Sequence, residues 1–298
     1  MRMQVVTGFS DTNAFDVLRP AQQSVPFVFN SPHSGRDYPD AFLRASRLDT
    51  RAIRRSEDAF VDELFEPVLA LGAPLLRARF PRAYLDVNRE PYELDPKMYE
   101  DRLPSYANCR SIRVAGGLGT IARVVGEAQE IYRERLSVQE ALLRIETLYK
   151  PYHRALRRIL AQTHVDFGYA ILVDCHSMPS AVRSSDGGAR PDFILGDRYG
   201  TSCAPLLIEA ATRILRDMGY SVSRNKPYAG GFITEHYGRP AKGLHALQIE
   251  INRALYMDES RTERNAGFAE LACNLRKFAS ELVAISDGSL AAEALAAE

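Results

Sequence analysis

The sequence has no surplus of charge, no long apolar run and few cysteines, and each absence narrows what it does. Lys and Arg number 38, as do Asp and Glu, so nothing electrostatic points to a nucleic acid or an anionic membrane as partner. No run of about 18 apolar residues occurs, which argues against a membrane-spanning helix. The opening MRMQVVTGFSDTNAFD lacks the continuous apolar segment and cleavage site of a signal peptide. Cys109, Cys175, Cys203 and Cys273 stand far apart and form no CxxC pair. That spacing predicts reduced thiols in a cytoplasmic protein and argues against a zinc-thiolate site. Repeats, low-complexity tracts and Gly/Ser linkers are also missing. The 298 residues are therefore read as a single domain, with its core over about 25–285 and a C-terminal tail, SLAAEALAAE, that frays.

Strand-like and helix-like stretches alternate, which predicts an α/β fold with a mixed, mostly parallel sheet flanked by helices. Strands are expected at 25–30, 75–79, 84–88, 169–174, 193–195, 221–224 and 246–251. After Asp58, the residues Val61, Leu64, Phe65, Val68 and Leu69 form one helical face closed by Gly72. A capping-box pattern at Ser137 opens a helix to about His164, which Pro151 is expected to kink or split. Two more helices are expected over about 202–218, ending at Gly219, and over about 259–285.

Two histidines follow apolar strands among small residues: His33 in VPFVFNSPHSG and His176 in YAILVDCHSMPS. Ligands of open α/β sheets collect beyond the carboxyl ends of strands. One such histidine more often caps a turn than binds a ligand; two together point to a metal, which needs about three protein ligands and an open position for water. SEDAFVDELF offers Glu57, Asp58 and Asp62 as a third ligand, although Asp58 also sits where an N-cap belongs. Asp62 and Glu63 read as the solvated side of that helix. Arg89, with Asn88, is a candidate grip for a substrate carboxylate. In HALQIEIN, period-two alternation places Gln248, Glu250 and Asn252 on one strand face. A carboxylate in a core strand needs a purpose, and Glu250 as general base competes evenly with Glu250 in a salt bridge. Thr234 and His236, after the Gly230–Gly231 pair, add donors in a stretch that a polar hairpin would resemble. His153 and His164 read as helix residues, not ligands.

Taken together and in order, PHSG, EDAFVDELF, YLDVNRE, DCHS, PDFILG, GGFITEHYGRP and HALQIEIN resemble the N-formylglutamate amidohydrolase family over about residues 25–260. The resemblance implies a zinc-carboxypeptidase-like (phosphorylase/hydrolase-like) fold and one zinc, or another divalent metal, per chain. It implies hydrolysis of a small N-acyl amino acid, N-formyl-L-glutamate in the named case, in the setting of histidine degradation. His33, Asp58 and His176 become the implied metal ligands, with Glu57 the fallback for Asp58, and Glu250 the implied base. Asn88 and Arg89 are implied substrate contacts, with Arg123, Thr234 and His236 further candidates. The chain departs from the family at Glu235, where many members carry a basic residue. An acid there favours a less acidic substrate or another acyl group. A deacylase or peptidase for a different N-acyl substrate is thus one alternative, and a binding protein without chemistry another. Zinc peptidases also place a glutamate three residues after the first histidine, where this chain has Arg36.

Overall fold

The computed structural model describes residues 14–183 and 190–295. The N-terminal segment and the last three residues of the tail, on which two of the expectations above rest, lie outside the described residues. In chain order the strands are β1 (Phe15–Leu18), β2 (Phe27–Ser31), β3 (Leu75–Ala78), β4 (Val124–Val125), β5 (Gln129–Glu130), β6 (Ala170–Met178), β7 (Phe193–Gly196), β8 (Val222–Arg224), β9 (Leu244–Asn252), β10 (Met257–Asp258) and β11 (Glu263–Arg264). The helices are α1 (Asp40–Ala45), α2 (Val61–Phe65), α3 (Ile112–Ala115), α4 (Val138–Arg144), α5 (Lys150–Phe167), α6 (Pro205–Asp217), α7 (Phe232–Tyr237) and α8 (Phe268–Leu295). No helix among the described residues is long and apolar enough to cross a membrane.

Two compact units divide the chain. One comprises Met1–Asp16, Pro32–Glu57 and Ala78–Ala155; the other comprises Val17–Ser31, Asp58–Arg77 and Leu156–Glu298. The second is built on a seven-stranded sheet of order β1-β3-β2-β6-β9-β7-β8. From β3 through β2 and β6 to β9 the strands are parallel, β7 runs antiparallel to β9, and β8 parallels β7. The sheet is therefore mixed and mostly parallel, as its alternating sequence requires.

Period-two geometry sorts the inner strands. Phe27, Phe29, Ile171, Val173, Cys175, Leu247, Ile249 and Ile251 share one core with Val61, Leu64 and Phe65 of α2 and with apolar residues of α6 and α8. Burying each such side chain stabilises by roughly 1.5–3 kcal/mol over leaving it exposed. The intervening positions carry Asn30, Asp174, His176, Gln248 and Glu250, all buried. A row of polar groups inside a sheet core is costly unless each is bonded or used.

The first unit is dominated by loops and short helices, and its centre is a buried cation. Arg144, at the end of α4, lies 3.8 Å over the Tyr84 ring. It donates to the Tyr84 carbonyl at 3.1 Å and the Tyr132 hydroxyl at 2.8 Å, and pairs with Glu140. Ser137 caps α4 by accepting from the Glu140 amide at 3.1 Å. The expected long helix divides ahead of Pro151: a π turn over Ile145–Tyr149 separates α4 from α5. That turn makes room for a residue that cannot donate a backbone hydrogen bond.

Several expectations change. Residues 84–88 form no strand: Tyr84 and Leu85 donate to the Pro81 carbonyl, and the Asp86 amide donates to Thr120. Proline closes a turn there before a ladder can form. The helix after Asp58 stops at Phe65 and tightens into a 3-10 segment at Pro67, ending where Gly72 takes φ 84°. The N-cap position is taken by Phe60, held at φ 65°, and not by Asp58. Asp62 is buried beside Arg77 at 3.4 Å, and Glu63 pairs with Arg264. The last helix begins at Phe268, because the residues before it form the β10–β11 ribbon.

Candidate metal centre

His33 and His176 are delivered differently. His33 follows β2, which is an inner strand and not an edge. The tight turn after it depends on Gly35: a Cβ there would lie 2.0 Å from the Phe80 carbonyl oxygen. His176 lies inside β6, because the strand runs past the expected end at Asp174 to Met178. Asp58 stands at the entry to α2. Each of the three is buried, and one ligand atom from each lies within 4.8 Å of the other two.

The two rings are held alike. His33 Nε2 is 2.8 Å from Asp86 Oδ1, and His176 Nε2 is 3.0 Å from Asp174 Oδ2. A carboxylate on one ring nitrogen fixes the tautomer and leaves ligation to the other, Nδ1 in both cases. His176 Nδ1 lies 2.9 Å from Asp58 Oδ2. Burial disfavours charge on the His176 ring, but Asp174 first, then Asp58 and Glu250, hold its pKa well above the usual histidine value. Asp174 in turn accepts from Asn30 Nδ2 at 2.7 Å. Burial would raise the Asp86 pKa; Arg89, His33 and Arg82 outweigh it and keep that carboxyl well below the usual range. Two imidazole nitrogens and one carboxylate oxygen, each with an outer carboxylate or donor behind it, suit a divalent ion of the zinc class. The group can hold a metal ion.

Glu250 is the register partner of His176 across β6 and β9. Its Oε1 accepts from Gln248 Nε2 at 2.8 Å. Gln248 Oε1 takes the Gly231 amide at 2.7 Å and the Thr234 hydroxyl at 3.4 Å. Thr234 is thereby joined to Glu250 through one amide, and the stretch that a polar hairpin would resemble is instead the start of α7. His236 is exposed, stacked on Phe232 at 4.9 Å. Burial, Arg239 and Arg157 lower its pKa.

Arg89 and Asn88 lie in the turn that carries Asp86. Arg89 is almost wholly buried, donating through Nε to the Leu118 carbonyl and through Nη1 to the Asn88 carbonyl, both at 2.8 Å. Burial depresses its pKa to about 10, against the pull of Asp86. Arg123 pairs with Asp95 at 2.8 Å and Glu130 at 3.5 Å. It lines a cavity of about 150 Å³ with Arg47, Lys97, Arg133 and Arg135. Glu57 is engaged by the Tyr38 hydroxyl and Arg54, so the carboxylate of the group is Asp58. Glu235 is exposed and paired with Arg198 at 2.8 Å. His153 holds the Val87 carbonyl and His164 the Lys242 carbonyl.

The supporting residues were missed by sequence reasoning. Asp174 was within reach, because period two from His176 puts it on the same strand face. Asp86 had no such periodic signal.

The family model for N-formylglutamate amidohydrolase matches residues 25–257. An N-formylglutamate deformylase of Pseudomonas putida is 32% identical over 247 residues, spanning 82% of this chain and 86% of the relative. The N-formylglutamate deformylase of Pseudomonas aeruginosa PAO1 is 32% identical over 249 residues, with the same shares. The crystal structure of N-formylglutamate amidohydrolase from Ralstonia eutropha JMP134 matches with a TM-score of 0.86 at 37% identity, over 92% of this chain and 98% of that one.

Proposed function

The chain belongs to the N-formylglutamate amidohydrolase family, and on that premise we propose that it is a zinc-dependent deformylase converting N-formyl-L-glutamate and water to formate and L-glutamate. One observation carries the metal-dependent reading: the ligand atoms of His33, Asp58 and His176 gather within 4.8 Å, with Glu250 in register beside His176. The family match runs through segments of both compact units, which supports reading them as one catalytic domain. A cytoplasmic role in histidine degradation is the setting we propose with it.

Nδ1 of His33, Nδ1 of His176 and Oδ2 of Asp58 would hold one zinc ion. When bound, such an ion polarises the formyl carbonyl and lowers the pKa of water. Glu250 is the general base. Its carboxylate, oriented by Gln248, takes a proton from the attacking water. The water oxygen bonds to the formyl carbon, the C–N bond breaks, and Glu250 passes that proton to the departing nitrogen. Arg89, its guanidinium fixed by two carbonyls, is the residue we assign to a substrate carboxylate, with Asn88 beside it. Arg123, paired with Asp95 and Glu130, Thr234 and His236 are further candidates. The charge of Glu235, met by Arg198, is offset within the protein, so it weighs little against an acidic substrate.

The test is a panel of N-formyl-glutamate, N-acetyl-glutamate, N-formyl-aspartate and N-formyl-methionine, with metal content measured on the same preparation. Formylglutamate cleaved fastest, about one zinc per chain and loss of both in His33→Ala and His176→Ala support the proposal. Turnover of another acyl amino acid with formylglutamate inert would move the function to a different deacylase.

A further inference from the structure

The ligand oxygen of Asp58 is set by its other oxygen. Asp58 Oδ1 accepts from the Ser177 hydroxyl at 3.1 Å and from Arg253 Nη2 at 3.2 Å. Arg253 Nε also donates to Ser177 Oγ at 3.0 Å, so Ser177, Arg253 and Asp58 close a three-membered ring of hydrogen bonds. All three side chains are buried. Ser177 directly follows His176 on β6, and Arg253 directly follows β9, three residues after Glu250. The two strands that carry His176 and the base therefore also carry the donors that grip Asp58.

A carboxylate at the entry to a five-residue helix has torsional freedom to present either oxygen, or both. Two donors on Oδ1, one of them charged, remove that freedom and direct Oδ2 towards His176 Nδ1, 2.9 Å away. A guanidinium on Oδ1 also withdraws charge from the carboxylate, so Asp58 donates less electron density through Oδ2 than an isolated aspartate. We infer that Arg253, backed by Ser177, is a positioning residue that makes Asp58 a one-oxygen metal ligand and thereby sets the affinity and coordination of the site. The inference rests on the proposed metal reading and deepens it; neither Arg253 nor Ser177 touches substrate in it.

The test measures zinc dissociation constants, by competition with a chromophoric chelator, for wild type, Asp58→Ala, Arg253→Met, Arg253→Lys and Ser177→Ala. Each is also loaded with Co²⁺ and its visible spectrum recorded, because d–d bands report coordination number and a general loss of stability does not move them. Arg253→Met should bind zinc about 10–100-fold more weakly and change the cobalt spectrum, with Arg253→Lys recovering part of both. Ser177→Ala, which removes a single hydroxyl, should fold normally and show a smaller shift in the same direction, so a misfolded Arg253→Met leaves the test intact. Affinity and spectrum unchanged in Arg253→Met, or in Ser177→Ala should Arg253→Met not fold, while Asp58→Ala loses the metal, would overturn the positioning role and leave the metal site standing. Wild type that takes up neither zinc nor cobalt would overturn the metal reading, and this inference with it.

Discussion

His176 and Glu250 stand directly opposite each other on neighbouring parallel strands, β6 and β9. That pairing puts a ring nitrogen donor and a carboxylate side by side on one face of the sheet. If Glu250 is the base and not a ligand, Glu250→Gln should retain zinc and lose about 10²–10⁴-fold in kcat. Metal content and steady-state kinetics on one preparation decide it. Full turnover in the variant would remove Glu250 from the mechanism; loss of zinc would make it a ligand.

Gln248 sits between Glu250 and the Gly231 turn, and its orientation is settled by its partners. Oε1 must accept from the Gly231 amide, so Nε2 must donate to Glu250. Gln248→Leu deletes the bond on both sides. A hydrogen bond to a charged group is worth roughly 1.5–3 kcal/mol, so kcat should fall about 10–100-fold with metal content unchanged. Gln248→Glu places a second carboxylate against Glu250 and should be worse than leucine. Equal rates in Gln248→Leu and wild type would mean that Glu250 is aimed by something else.

The inner strands were legible because alternation is a local signal. Leu247, Ile249 and Ile251 against Gln248 and Glu250 already gave the two faces of β9, and "DCHS" and "PHSG" marked where His176 and His33 fall. The stretch 84–88 misled, because tyrosine, leucine and valine there imitate a strand while Pro81 closes a turn. The outer contacts were out of reach for a different reason. Arg253 meets Asp58 across 195 positions of chain, and nothing in either neighbourhood announces the other. Asp62 looked solvated from helical spacing alone, yet Arg77 on β3 meets it. Periodicity gives the face of an element; it does not give what another element brings to that face.

Gly35 lies two residues after His33, and its lack of a side chain has a measurable use. The Cβ of an alanine would fall 2.0 Å from the Phe80 carbonyl oxygen and 2.7 Å from the Arg79 carbonyl carbon. These are backbone atoms with no rotamer to escape into. Gly35→Ala should destabilise the fold by about 1–3 kcal/mol and weaken zinc binding, because the turn carrying His33 must shift. Urea unfolding with chelator competition reads both effects. A variant as stable as wild type, with the same affinity, would mean that the turn yields without moving the histidine.

Alkaline pH should unfold the protein through its buried acids. Burial drives the Cys203 thiol up to about 12. It also raises Cys175, Tyr38, Tyr99, Tyr132 and Tyr256 above their ordinary values, although Arg144 beside Tyr132 and Arg253 beside Tyr256 pull the other way. In the unfolded chain these groups release protons near 8.5 for thiols and about 10 for phenols. Between those values and the raised native ones, the folded state holds the more protons, so stability must fall as pH rises. The contribution is fully present below about pH 8.5, and each group removes roughly 1.4 kcal/mol per pH unit once its unfolded counterpart has ionised. The urea midpoint should therefore drop more steeply from pH 8.5 to 10.5 than from pH 7 to 8.5. Phenolate absorbance at 295 nm should rise later in the native protein than in urea. A midpoint that stays flat to pH 10.5, or phenolate curves that coincide, would show that these side chains reach water in the folded protein.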